Sequence, residues 1–129
     1  MLLNIFSIFI GGGIGAVLRY LTSFVYTEFF GFNFPLATLS VNLIGSFVLG
    51  VLSAFILFDY HLIPNHYKYA LTVGFCGGFT TFSTFAFEVV EILKRGEYFV
   101  AILYVILSVV LSIMVAAAGF YWAKNYVYY

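Results

Sequence analysis

Charge is what this chain has least of: five Lys and Arg against five Asp and Glu, together 8% of 129 residues, with no net charge at neutral pH. Soluble domains carry about 25% charged residues, and their surfaces need such side chains to stay dispersed. The even balance also removes the electrostatic footprint of a nucleic-acid binder, so no nucleic-acid partner is expected. One cysteine, Cys76, excludes an intrachain disulfide framework or a zinc cluster. Its place in an apolar run gives it the part of a small buried hydrophobe. No carboxylate lies in the middle of an apolar segment, and no Ser/His/Asp, Cys/His or metal-ligand spacing occurs. Catalysis therefore has no candidate residues, and the chain is not expected to be an enzyme. The start, MLLNIFSIFIGGG, lacks the basic stretch of a cleavable signal peptide. It is expected to begin the first spanning helix and to stay in the mature protein.

What the chain has instead is apolar length, with 64% hydrophobic residues and a mean hydropathy of +1.12. A spanning helix needs about 20 mainly apolar residues. Four stretches meet that length, roughly 3–26, 36–58, 69–92 and 98–122, and they predict an all-α integral membrane protein that is a single transmembrane domain. The separators have turn chemistry: Glu28 to Pro35, Asp59 to Lys68, and Lys94-Arg95-Gly96-Glu97, with Gly96 where a helix would stop. Linkers this short require the helices to run up and down as sequential neighbours. Tyr26, Tyr60, Tyr67, Tyr69, Tyr98, Tyr121, Trp122, Tyr126, Tyr128 and Tyr129 gather near the helix ends, as an aromatic belt in contact with lipid headgroups does.

Orientation is the more informative test. With four helices, one side of the membrane carries Lys68 and Lys124 and the other Lys94 and Arg95, while Arg19 belongs to the first helix. Two against two gives no positive-inside bias. A chain without that bias has no electrostatic reason to choose one orientation, and insertion both ways predicts an antiparallel homodimer. Balanced counts this small also arise by chance.

Polar groups in hydrocarbon are costly and mark pathways or packing contacts. The third segment holds Gly74-Phe-Cys-Gly-Gly-Phe-Thr-Thr-Phe-Ser-Thr-Phe85, a poor helix at mid-membrane depth. It predicts a break, which is tolerated where backbone is buried in protein, lines a cavity or binds an ion. A glycine face for close packing, with Gly74-xxx-Gly78 as a small-xxx-small pair, explains the pattern equally well. Phe82 and Phe85 share a face if the chain is helical after the break. Phenyl edges are electropositive, so two rings among hydroxyls suit a small anion, although lipid contact or packing is the ordinary use of phenylalanine. Asn42 lies about two turns into the second segment, where its amide needs a neighbour or a permeant species. Tyr104, Ser108 and Ser112 recur every four residues as one polar stripe, suited to a path or to helix contact. Arg19 either snorkels to the interface or holds an anion-attracting vestibule. Glu88 sits one helical turn beyond Phe85.

Taken in order, Gly11-Gly-Gly-x-Gly-Ala-x-x-Arg19-Tyr, Thr38-Leu-x-Val-Asn42-x-x-Gly45-Ser-Phe and Gly74-Phe-Cys-Gly-Gly-Phe-Thr-Thr-Phe-Ser-Thr-Phe85 resemble the Fluc (CrcB-type) fluoride channels. The third block is highly specific, and the likeness spans the chain. The resemblance implies an antiparallel, dual-topology homodimer in the cell membrane, with two pores that export fluoride passively. It implies that the third helix is broken mid-membrane and that carbonyls of Gly77 and Thr80 from both subunits hold a central structural sodium ion. Oxygen donors suit such a hard cation. It puts Phe82 and Phe85 along each pore with Asn42 donating to fluoride, and Tyr104, Ser108 and Ser112 as a hydroxyl track. Ser83, Thr84 and Glu88 become pathway residues, with Arg19 and Glu88 near a vestibule. The rival is a small multidrug-type proton-coupled exporter, which needs a membrane-embedded carboxylate, usually in the first helix. The first helix here has no acid before Glu28.

Overall fold

A computed structural model describes residues 1–31, 35–58 and 63–127, and every regular element among them is a helix. Helix α1 is Leu2–Phe30 and α2 is Leu36–Phe58. A composite third rod follows: α3 (Asn65–Tyr69), a π-helical segment (Ala70–Cys76), α4 (Gly77–Phe79) and α5 (Phe82–Lys94). Helix α6, Tyr98–Val127, ends the described chain. Four spans are long and apolar enough to cross a membrane: Leu2–Phe30, Leu36–Phe58, Asn65–Lys94 and Tyr98–Tyr126. The chain is a multi-pass membrane protein.

The helices run further into the separators than their apolar pattern indicated. Helix α1 continues to Phe30 and takes in Glu28, stopping where Gly31 turns to φ 71° and donates its N–H to the Thr27 carbonyl at 3.2 Å. The third rod begins at Asn65, because the Pro64 carbonyl accepts from the N–H groups of Tyr67 and Lys68. Gly96, at φ 78°, closes α5 with its own N–H on Leu93 and that of Glu97 on Ile92, the paired bonds of a Schellman stop. Tyr60, Tyr128, Tyr129, Asn33 and Asp59 lie outside the described residues.

Packing does not follow the order of the sequence. Helix α1 lies mainly along the third rod and α2 along α6, while α1 and α2 touch far less. Glycine explains the choice, since it lets backbones meet where any side chain would intervene. A Cβ on Gly74 would lie 3.1 Å from the Gly11 Cα, and one on Gly78 would lie 3.1 Å from the Gly12 Cα. A Cβ on Gly50 would strike the Ala116 carbonyl, and one on Gly119 the carbonyl of Phe47. Gly11 and Gly12 meet Gly74 and Gly78 in that order, and at the other contact Asn42 and Gly45 share a groove with Ser108 and Ser112 while Phe58 packs on Phe120, so in each pair the partners run parallel. Up-and-down traverse is thus kept, but the intimate neighbours are first with third and second with fourth. The π-helical segment sits where the third rod crosses Gly11 and Gly15 of α1.

A small core of Phe85, Ile92, Ala101 and Tyr104 joins α5 to α6, flanked by Leu39 from α2. Much of the remaining apolar surface, Phe6, Phe9, Phe99 and Ile113 among it, is exposed. Hydrocarbon or another chain has to cover a surface of that kind.

Candidate functional site

The third rod loses its helical ladder at Thr80 and Thr81. Both are extended, at φ −79°, ψ 159° and φ −153°, ψ 117°. Backbone bookkeeping shows what the interruption does. In a continuous helix the Thr81 N–H would bond the Gly77 carbonyl, and the Thr84 N–H would bond that of Thr80. Here the Thr81 N–H donates to Asn42 Oδ1 at 2.8 Å, and the Thr84 N–H donates to Thr81 Oγ1 at 3.2 Å. Side chains have taken both donors, and the carbonyls of Gly77 and Thr80 lose their helical partners. Gly77 is exposed on the surface of the chain.

Asn42 clamps the break from both sides, because its Nδ2 also donates to the Thr81 carbonyl at 3.1 Å. One amide thereby serves both polar groups of a single extended residue, which also fixes which way round the amide lies. A second amide hydrogen remains for another acceptor. Thr80 anchors the last turn before the break, with its N–H and Oγ1 both donating to the Cys76 carbonyl at 2.9 and 2.8 Å. Thr81 begins the next helix as its N-cap, and its hydroxyl donates to Thr84 Oγ1 at 3.0 Å. The break therefore lies at Thr80–Thr81 rather than across the glycines, and Gly77 and Gly78 stay helical.

Beside the break runs an open groove of about 330 Å³, where Asn42, Thr80, Phe82, Phe85, Ser108 and Ser112 come together. Phe82 is 77% exposed and Phe85 only 7%, with ring centroids 5.5 Å apart and planes tilted by 51°. Phe85 rests in turn on Tyr104, 5.2 Å away. The Ser108 hydroxyl is buried and has no partner of ordinary hydrogen-bond geometry among the described residues. Tyr104 behaves differently from the two serines of its stripe. It is fully buried, and its hydroxyl donates to Glu88 Oε2 at 2.8 Å, while Thr38 Oγ1 donates to Glu88 Oε1 at 2.7 Å. Glu88 thus ties α2, α5 and α6 together.

The remaining candidates face the other side of the break. A second cavity of about 260 Å³ holds Arg19, Ser23, Thr38, Thr81 and Thr84. A third, of about 290 Å³, opens between Thr84, Glu88, Glu91 and Arg95. Thr81 lines both the groove and the Arg19 cavity and so stands between them. Ser83 and Thr84 are exposed, and Ser83 Oγ lies 3.3 Å from Thr81 Oγ1. Sequence reasoning gave no part to Thr38 or Thr81. Thr38 stands one turn before Asn42 on the same helix face, and Thr81-x-x-Thr84 has the spacing of an N-cap, so both signals were present. Among the described residues no three His, Cys, Asp or Glu side chains gather as a metal-ligand set.

A family model described as CrcB-like protein, Camphor Resistance (CrcB), matches residues 6–120, a stretch that contains every residue of this site. The chain belongs to the CrcB family. It is 44% identical over 116 residues to a protein of Leptospira interrogans, covering 90% of this chain and 91% of that one. It is 42% identical over 113 residues to one of Vibrio cholerae, covering 88% and 89%, and 41% identical over 126 residues to one of Bacteroides fragilis, covering 95% and 98%. Each of these CrcB relatives is named a fluoride-specific ion channel, FluC.

Proposed function

We propose that this chain is the subunit of a fluoride-selective channel that lets fluoride leave the cell passively through the cell membrane. The observation that carries the proposal is family membership along almost the whole chain, with relatives at 41–44% identity named for fluoride. The chemistry of the groove supports it. Fluoride is small and strongly hydrated, so a path must replace its water with donors that do not hold it too tightly. The free Asn42 amide hydrogen, the hydroxyls of Ser108 and Ser112 and the ring edges of Phe82 and Phe85 are donors of that strength. Among the described residues no fixed cation lines the groove to trap the ion. Arg19 draws anions toward the far side of the break, beyond Thr81. Glu88, held by Thr38 and Tyr104, keeps the three helices around the path in register, with Ser83 and Thr84 at its mouth.

The working unit in this proposal is an antiparallel, dual-topology homodimer surrounded by lipid. Support comes from the charge balance, the open groove, the exposed Phe82 and the small contact between α1 and α2. A second, inverted copy closes the groove and makes two pores, with the break at mid-membrane depth. A structural sodium ion at the dimer centre fits this chain, because the carbonyls of Gly77 and Thr80 are among the four, Gly77 to Thr80, that the interruption frees from helical bonding, and Gly77 is exposed. When bound, such an ion balances the carbonyl dipoles and ties the two breaks together. The proton-coupled exporter finds no support in α1, whose acid, Glu28, lies in its last turn.

The test is fluoride release from liposomes that contain the pure protein. Rapid release without a proton gradient is expected. Liposomes that hold their fluoride would overturn the proposal.

A further inference from the structure

The interruption at Thr80–Thr81 is shaped by α2 as much as by the third rod. Asn42 provides the hydrogen bonds. One turn further along the same face, Gly45 provides a hole, and the Thr80 methyl fills it. A Cβ at Gly45 would collide with Thr80 Cγ2 and sit 3.4 Å from the Phe79 ring. The usual escape, a swing of the side chain, is closed. Thr80 is β-branched and stiff at χ1, and its Oγ1 is engaged with the Cys76 carbonyl at 2.8 Å. Turning the methyl aside would pull the hydroxyl off that carbonyl. A methyl at Gly45 must therefore displace the Thr80 backbone, next to the carbonyl that has lost its helical partner.

We propose that Gly45 is a positioning residue for ion passage: its missing side chain seats the Thr80 methyl and so sets where the Thr80 carbonyl and the Asn42–Thr81 clamp lie. The inference rests on the channel reading above for its functional consequence, though not for its geometry. Gly15 of α1 makes the contrast clear. A Cβ there would meet backbone, including the Phe79 N–H nitrogen at 2.8 Å, and no neighbouring side chain could be shortened to make room. At Gly45 one can. Serine in place of Thr80 keeps the hydroxyl on Cys76 and deletes only the methyl.

Four proteins test this: wild type, Gly45→Ala, Thr80→Ser and the double variant. Over-packing of this kind corresponds to about a tenfold loss or more of fluoride efflux from liposomes for Gly45→Ala. Thr80→Ser loses the seated methyl and should lose about threefold of efflux, while the double variant, whose new methyl occupies the emptied hole, should conduct better than Gly45→Ala and at least as well as Thr80→Ser. A role in bulk packing alone would not be rescued by a single methyl at the break. The same four proteins, labelled with ¹⁵N-threonine in detergent micelles, report the Thr81 amide directly. Its resonance should move in Gly45→Ala and return in the double variant. Should Gly45→Ala fail to assemble, assembly of the double variant with the wild-type Thr81 resonance supports the inference. A double variant no better than Gly45→Ala, or a Gly45→Ala protein with wild-type efflux and amide shift, overturns it. If no variant, wild type included, releases fluoride, the channel reading fails while the amide shifts still decide the seating of Thr80.

Discussion

Replacing Asn42 by alanine removes one side chain and releases two backbone groups. The Thr81 N–H loses its acceptor at 2.8 Å and the Thr81 carbonyl its donor at 3.1 Å. Leaving a buried polar group unpaired costs about 1–3 kcal/mol, so two cost about 2–6 kcal/mol if nothing moves. The chain has a way to recover part of this. If Thr81 winds back toward a helical conformation, its N–H can return to the Gly77 carbonyl. That repair removes the break and caps a carbonyl that the proposed function needs free. Asn42→Ala should therefore damage transport more than folding. We expect melting, followed by loss of the assembled-protein peak in size-exclusion chromatography, to shift by an amount equivalent to about 1–3 kcal/mol, one orphaned group's worth. Fluoride efflux should fall by about a hundredfold, since each 1.4 kcal/mol at the path is about tenfold. Asn42→Asp makes the sharper control. It can still accept from the Thr81 N–H but cannot donate to the Thr81 carbonyl, and it sets a negative charge where an anion must pass. It should assemble better than Asn42→Ala and conduct no better. Wild-type efflux in both variants would refute the clamp as a functional element.

Two further outcomes follow from packing. Phe82 is 77% exposed on the single chain, so Phe82→Ile costs little in folding; it should leave the dimer intact and slow fluoride efflux by about tenfold, the loss of one weak edge contact or more. Gly50→Ala presses a methyl onto the Ala116 carbonyl and should lower melting by the equivalent of about 1–3 kcal/mol. Because the collision is with backbone, shortening a neighbouring side chain should not restore it.

The spans were legible because hydropathy is a local property: about 20 apolar residues in a row need no knowledge of their neighbours. Their ends were less so. Glu28 looked like linker by charge, yet the α1 ladder runs past it until Gly31 adopts a positive φ. Breakage in the third rod was legible from its glycines and hydroxyls, but its position was not. The glycines of Gly77-Gly78-Phe79 stay helical, and the residue that opens the ladder, Thr81, is selected by Asn42 from 39 positions away. The Glu88 clasp was hidden for the same reason, since Thr38 lies 50 positions and Tyr104 16 positions from it. Pairing of first helix with third and second with fourth was also illegible, because glycine tells that two backbones approach without telling which two. The π-helical winding of Ala70–Cys76 belongs with these, since it appears where the rod crosses α1 and not where its own residues ask for it.

The most direct measurement loads liposomes with equal fluoride and chloride, reconstitutes the wild-type protein, dissipates the membrane potential and follows both ions with selective electrodes. Fluoride should leave to completion while chloride stays inside. Retention of fluoride, or release of both ions together, would contradict the account.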